Sequence, residues 1–182
     1  MSHPTMSKKV EMRLGLDFGG VIIRSSTISR GDRTLFDEPG DPIDHAHPGM
    51  LPAVASLAAH TEGRVWIVSK ARPAMQPVIT RYLAEIEFHE RTGVPRSQVH
   101  FVTEREGKRA VCRAHGITHF VDDRVALMEI LTGVVPHLFL LAPPERRAGC
   151  PTGVTIVDDW TALLAELGSP PLPGTRELPS SP

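Results

Sequence analysis

The stretch "LGLDFGGVII", residues 14–23, decides how the rest of the chain is read. An apolar run leads into a single carboxylate, Asp17, then into Phe18 and the glycines Gly19 and Gly20, and the apolar run resumes. Apolar residues on consecutive positions are the pattern of a strand covered on both faces. Glycine beside the acid lets the backbone approach a ligand closely and offer its amides. The stretch therefore reads as a buried strand that delivers Asp17 to a site as nucleophile or metal ligand. The competing reading is a turn residue, a role Asp often takes.

Five further β-type runs follow, "RVWIVS" (64–69), "QVHFVT" (98–103), "THFVDD" (118–123), "PHLFLLA" (136–142) and "GVTIVDD" (153–159). Helix-type segments lie between them. Residues 50–60 put Leu51, Val54, Ala55, Leu57 and Ala58 near one face and stop at a Gly. Residues 74–93 predict one longer helix, with Pro77 in its first turn, where no amide hydrogen is needed. Segments 107–116, 124–133 and 159–168 each end on Gly, and Asp158 or Asp159 can cap the last. Strands alternating with helices predict an α/β fold, a single Rossmann-like three-layer domain with a mostly parallel central sheet over residues 10–168. Residues 24–48 break the alternation. They are polar and rich in Gly, Pro and Asp, and their length suits a short flap over a site rather than a large cap domain. The ends, 1–9 and 169–182, are too polar or too rich in Pro and Ser to offset ordering, and are expected to be disordered.

Composition narrows the classes. A chain of 182 residues suits one domain. Formal net charge is −1, so there is no strong nucleic-acid signal and no general attraction to an anionic membrane. No apolar run is long enough to span a bilayer, and no apolar core follows the first lysines as in a secretory signal. Two cysteines, Cys112 and Cys150, do not make a disulfide framework, so a reducing, cytoplasmic setting is expected. Oligomeric state leaves no readable mark.

In an open α/β sheet, ligands bind outside the carboxyl ends of the strands. Those ends deliver Asp17, then Ser69 and Lys70, then Asp122 and Asp123, with Lys108 at the head of the helix after the third strand. Carboxylates at close range repel unless a divalent cation sits among them, and oxygen-only ligands favour Mg²⁺. Ser69 and Lys108 suit a phosphate's oxygens, helped by the backbone amides of Phe18, Gly19 and Lys70. Asp17 could then attack phosphorus and form an aspartyl-phosphate. Blander roles compete: a helix cap for Ser69, Asp122 and Asp123, and a solvated helix lysine for Lys108. "DHAHPG" offers His45 and His47 but no third zinc ligand, which favours a solvated loop.

The ordered set resembles the haloacid dehalogenase-like (HAD) hydrolase superfamily over about residues 13–131. "LGLDFGGVI" resembles its first motif, "WIVSKA" the second, Lys108 in "EGKRAV" the third and "HFVDDR" the fourth. The resemblance implies a Rossmann-like domain and a Mg²⁺-dependent phosphatase or phosphotransferase for a small phosphorylated metabolite or nucleotide. Asp17, Ser69 and Lys108 would be catalytic, and Asp17, Asp122 and Asp123 metal ligands. The short 24–48 segment resembles that of capless or small-cap members. Most phosphatases of the family carry a second Asp where this chain has Gly19. Its loss removes a contribution on the order of 10²–10⁴ in rate from general acid–base catalysis. The Gly19 carbonyl remains available to Mg²⁺, since that role uses no side chain. Asp32, Asp37, Asp44, His45 and His47 are candidates to supply the missing proton. The alternative is a weakly active or non-catalytic phosphate-binding, regulatory domain.

Overall fold

The near-continuous apolar runs become strands of one six-stranded, all-parallel sheet in the order β3-β2-β1-β4-β5-β6. The computed structural model describes residues 11–24 and 40–169. The strands are β1 Leu14–Leu16, β2 Val65–Lys70, β3 Val99–Val102, β4 His119–Asp122, β5 His137–Leu141 and β6 Thr155–Val157. The helices are α1 Met50–His60, α2 Gln76–Glu85, α3 Phe88–Thr92, α4 Gly107–His115, α5 Val125–Leu131 and α6 Trp160–Glu166. The expected α/β architecture is therefore present, with strand ends within a few residues of those read from sequence.

Successive strand residues point to opposite faces, so each strand feeds two cores. Leu14, Leu16, Val65, Ile67, Val121 and Phe139 join one, with side chains from α1, α2 and α6. Trp66, Val68, Phe120, Leu138 and Leu140 join the other, beneath α4 and α5. Helices thus cover both sheet faces, as the apolar runs required. Asp159 caps α6, accepting a hydrogen bond from the Ala162 amide at 2.8 Å.

The helix expected over 74–93 is two helices. Glu87 adopts a left-handed conformation (φ 53°) between α2 and α3. Ile86 and Phe88 flank it, and both are buried. In one continuous helix they would point about 200° apart. The left-handed residue turns the chain so that both enter the core and α3 packs on α1.

The sheet order places a topological switch between β1 and β4, the neighbours from which the chain winds off in opposite directions. A site at the carboxyl ends of these two strands draws on both halves of the fold. The connection from β1 to α1, residues 17–49, is too short for a large cap. Its far end is zipped onto the loop after β1: Ile23 and Ala46 form an antiparallel bridge. The Arg24 amide donates to the His45 carbonyl at 2.9 Å, and the His47 amide to that of Ile22 at 3.0 Å. Residues 1–10, 25–39 and 170–182, which include the expected loose ends and most of the flap, lie outside the described residues. Ser169 is buried and its hydroxyl lies 3.0 Å from that of Ser56. No described helix is long and apolar enough to cross a membrane.

Candidate active site

Asp17 directly follows β1, and its amide continues the ladder by donating to the Val121 carbonyl of β4 at 2.9 Å. The chain then folds back tightly. The amides of Ile22 and Ile23 both donate to the Phe18 carbonyl, at 2.9 and 3.1 Å, and that of Gly20 to Ile23 at 2.8 Å. Gly20 has φ +81°, and a Cβ there would fall 2.1 Å from Asp123 Oδ2. Only glycine lets this loop lie against the second acid of β4's "VDD". The Phe18 side chain anchors the loop in the core, edge-on to Tyr82 at 5.7 Å. Trp160 of α6, in the same core, donates from Nε1 to the Val21 carbonyl at 3.2 Å.

Lys108, in the first turn of α4, is 2% exposed, and its ammonium lies between two acids. Nζ is 2.8 Å from Asp17 Oδ1 and 2.9 Å from Asp122 Oδ2. Burial alone would lower its pKa, but the charges of Asp17 and Asp122 outweigh that and hold it above the usual lysine value. Lys108 is therefore a permanent cation here. Lys70, whose side chain is 41% exposed, instead sits 3.9 Å from Glu104. Asp122 is pushed up to about 7, first by burial and then by the charges of Asp17 and Asp123, against the pull of Lys108. Its Oδ1 also accepts from the Arg124 amide at 3.0 Å, so the helix-capping role and the site role coexist. Asp123 Oδ2 accepts from Arg146 Nη2 at 2.7 Å, and its Oδ1 lies 3.7 Å from Arg124 Nε.

Asp17, Asp122 and Asp123 are all buried, and one carboxylate oxygen from each lies within 4.8 Å of the others. Three carboxylates this close repel one another, and Lys108 touches only Asp17 and Asp122. An oxygen-only, electron-rich cluster of this kind can hold a hard divalent cation. Ser69, at the end of β2, is buried, and its hydroxyl makes no hydrogen bond to a described residue. The amides of Phe18 and Gly19 likewise find no carbonyl among the described residues.

The structure thus brings Asp17, Lys108, Asp122 and Asp123 into direct contact or near-contact, with Ser69 at the neighbouring strand end. Of the candidate proton donors, Asp32 and Asp37 lie outside the described residues. His47 docks on the loop, with Nε2 3.0 Å from the Gly20 carbonyl. Burial, chiefly, lowers its pKa. Asp44 contributes its backbone carbonyl to Arg24. Two participants escaped the reading of the sequence. Gly20 was overshadowed by Gly19, because only the fold shows which glycine touches Asp123. Arg146 lies in the turn Pro144–Arg146 after β5, within a polar loop without a motif. The one available signal was a basic pair, Arg146–Arg147, following a strand that ends on the same rim.

The Rossmann-like sheet defines a class of architecture, and solved structures of two hydrolases are similar to this chain in fold. One is the D,D-heptose 1.7-bisphosphate phosphatase from B. bronchiseptica, solved in complex with magnesium and phosphate. It is 16% identical, with a TM-score of 0.59 over 86% of this chain and 98% of that one. Another is a haloacid dehalogenase-like family hydrolase from Xanthomonas campestris, 12% identical, with a TM-score of 0.60 over 87% of this chain and 95% of that one. At these identities the likeness is one of fold. No protein-family model and no curated protein sequence matches the chain.

Proposed function

We propose that the protein is a Mg²⁺-dependent phosphatase or phosphotransferase that works through an aspartyl-phosphate on Asp17, with a small phosphorylated metabolite or nucleotide as substrate. The observation that carries this is the buried Lys108 ammonium bridging Asp17 and Asp122 inside an acid triad at the switch point. The same fold in the heptose bisphosphate phosphatase holds magnesium and phosphate, which supports the reading. Residues 10–168 form the working domain, with 24–48 as a flap.

The carboxylates of Asp17, Asp122 and Asp123 and the carbonyl of Gly19 would hold the cation, which supplies positive charge to the phosphate oxygens. Lys108, 2.8 Å from Asp17 Oδ1, fixes that carboxylate, so that the attacking oxygen needs no reorientation. The Ser69 hydroxyl, the Lys108 ammonium and the amides of Phe18, Gly19 and Lys70 bind the phosphate oxygens and stabilise charge as the new O–P bond forms. The bond from phosphorus to the leaving oxygen breaks. The phosphoryl group on Asp17 then passes to water or another acceptor. Gly19 supplies no acid for the leaving oxygen. Substrates with good leaving groups, such as acyl phosphates and sugar 1-phosphates, are therefore favoured.

Phosphate release from a panel that includes acyl phosphates tests this, with Mg²⁺ or with EDTA, for wild type and Asp17→Asn. Release should need Mg²⁺ and vanish in the variant. If wild type and variant are equally inert, hydrolysis at this site is rejected. Gly19 favours a second reading, a domain that binds phosphate without turning it over. That reading requires Mg²⁺-dependent thermal stabilisation by phosphate with no release from any substrate.

A further inference from the structure

Beside the Asp17 loop lies a cavity of about 520 Å³ with a charged wall and an apolar floor. Arg24, Asp44, His47 and Arg91 form the wall, and Met50 and Leu51 of α1 contribute to the floor. Two guanidinium groups face one carboxylate, so the wall is net positive. Arg24 is held by its own amide, which donates to the His45 carbonyl at 2.9 Å. Among the described residues its side chain makes one hydrogen bond, from Nη2 to the Asp44 carbonyl. Arg91 comes from α3, the helix that the left-handed Glu87 turns onto α1. It makes no ion pair with a described residue.

The cavity and the acid cluster adjoin the same loop. His47 lines the cavity and its Nε2 lies 3.0 Å from the Gly20 carbonyl. Gly20 in turn is pressed against Asp123. A volume of this size is that of a small-molecule site. Guanidinium forks on opposed elements select phosphate or carboxylate oxygens in a bidentate way. We propose that this cavity receives a second anionic group of the substrate, so that the preferred substrates are small phosphate monoesters carrying another phosphate or a carboxylate. The inference rests on the phosphatase reading and specifies its substrate class.

Paired probes test it on the full chain with Mg²⁺. Glucose 1,6-bisphosphate is compared with glucose 1-phosphate, and 3-phosphoglycerate with glycerol 3-phosphate, with p-nitrophenyl phosphate as the reference for turnover. The first pair asks about a second phosphate and the other about a carboxylate. In at least one pair, kcat/KM should be tenfold or more higher for the probe with two anionic groups, mainly through KM. Arg91→Ala and Arg24→Ala should each shrink that ratio several-fold, whereas Arg113→Ala, on the exposed side of α4, should leave it intact. Turnover of p-nitrophenyl phosphate with no preference in either pair overturns the inference and leaves the phosphatase reading standing. So does a preference that survives both arginine variants. If nothing is hydrolysed, the phosphatase reading fails and calorimetric binding of glucose 1,6-bisphosphate decides. Affinity that drops tenfold in Arg91→Ala sustains the anion site, and affinity equal to wild type rejects it.

Discussion

Lys108 makes its two charged contacts in a place that water barely reaches. Removing one member of a buried ion cluster leaves the others uncompensated, at a cost of about 3 kcal/mol or more. Lys108→Met should therefore destabilise the protein, though by less than that figure near neutral pH, where Asp122 can take up a proton. A cation held by the same acids would stand in for the missing ammonium. The drop in Tm should then be larger in EDTA than in saturating Mg²⁺, and equal drops would contradict a shared site. Gly20 makes a different demand. Gly20→Ala adds a methyl group where the fold already holds the Asp123 carboxylate, at a backbone angle that L residues rarely adopt. We expect a loss of about 1–3 kcal/mol in chemical denaturation, with phosphate release falling in parallel. A variant as stable as wild type would show that the loop does not press on Asp123.

Elements set these residues in place, and they were legible to different degrees. The strands could be read because fully buried parallel strands are apolar at nearly every position, as in "WIV" and "LFLL". The break between α2 and α3 could not. "EIEFHE" contains no Gly or Pro, and the residue in the left-handed conformation is a glutamate, which carries no turn signal. Only the burial of both Ile86 and Phe88 explains it, and that is a tertiary fact. The conformation costs Glu87 roughly 1 kcal/mol. Glu87→Gly should return part of this, about 0.5 kcal/mol after the added freedom of the unfolded chain is subtracted, and Glu87→Val should destabilise. Urea midpoints of the two variants moving the same way would refute the strain. Lys108 and the "VDD" acids were readable at motif level because each sits at a strand end or a helix start. Arg146 was not, because a loop residue reaches its partner through the shape of the loop.

For the whole molecule, the sheet order matters most. Asp17 and Asp122 are far apart in the chain, yet β1 and β4 are neighbours, so the two acids share one lysine. The alternation of strands and helices predicted a parallel sheet, but not which strands pair. That depends on packing over the full length of the chain. At the other end of the strands from the acids, where β4 and β5 begin, His119 stacks on His137 at 4.4 Å. Burial, with His137 adding to it, lowers the His119 pKa to about 4. The unfolded chain binds this proton near pH 6.5 and the folded one does not. Between pH 6.5 and 4 the unfolded state therefore holds more protons, and stability falls as pH falls. For a half-buried ring the loss is on the order of 1–2 kcal/mol after allowance for solvent screening. His119→Gln should flatten that part of the profile in denaturation curves at pH 7 and pH 5. An unchanged slope would assign acid sensitivity to other groups.

The hydrogen bond from Trp160 to the Val21 carbonyl joins the last helix to the loop behind the first strand. A ribosome makes these partners at opposite ends of the job. While the C-terminal part of the domain is still in the exit tunnel, the segment that bears Asp17 lacks this support. The Asp17 loop thus gains its last support only when synthesis of the domain is nearly complete, and an unfinished chain carries the acid without the setting that holds it.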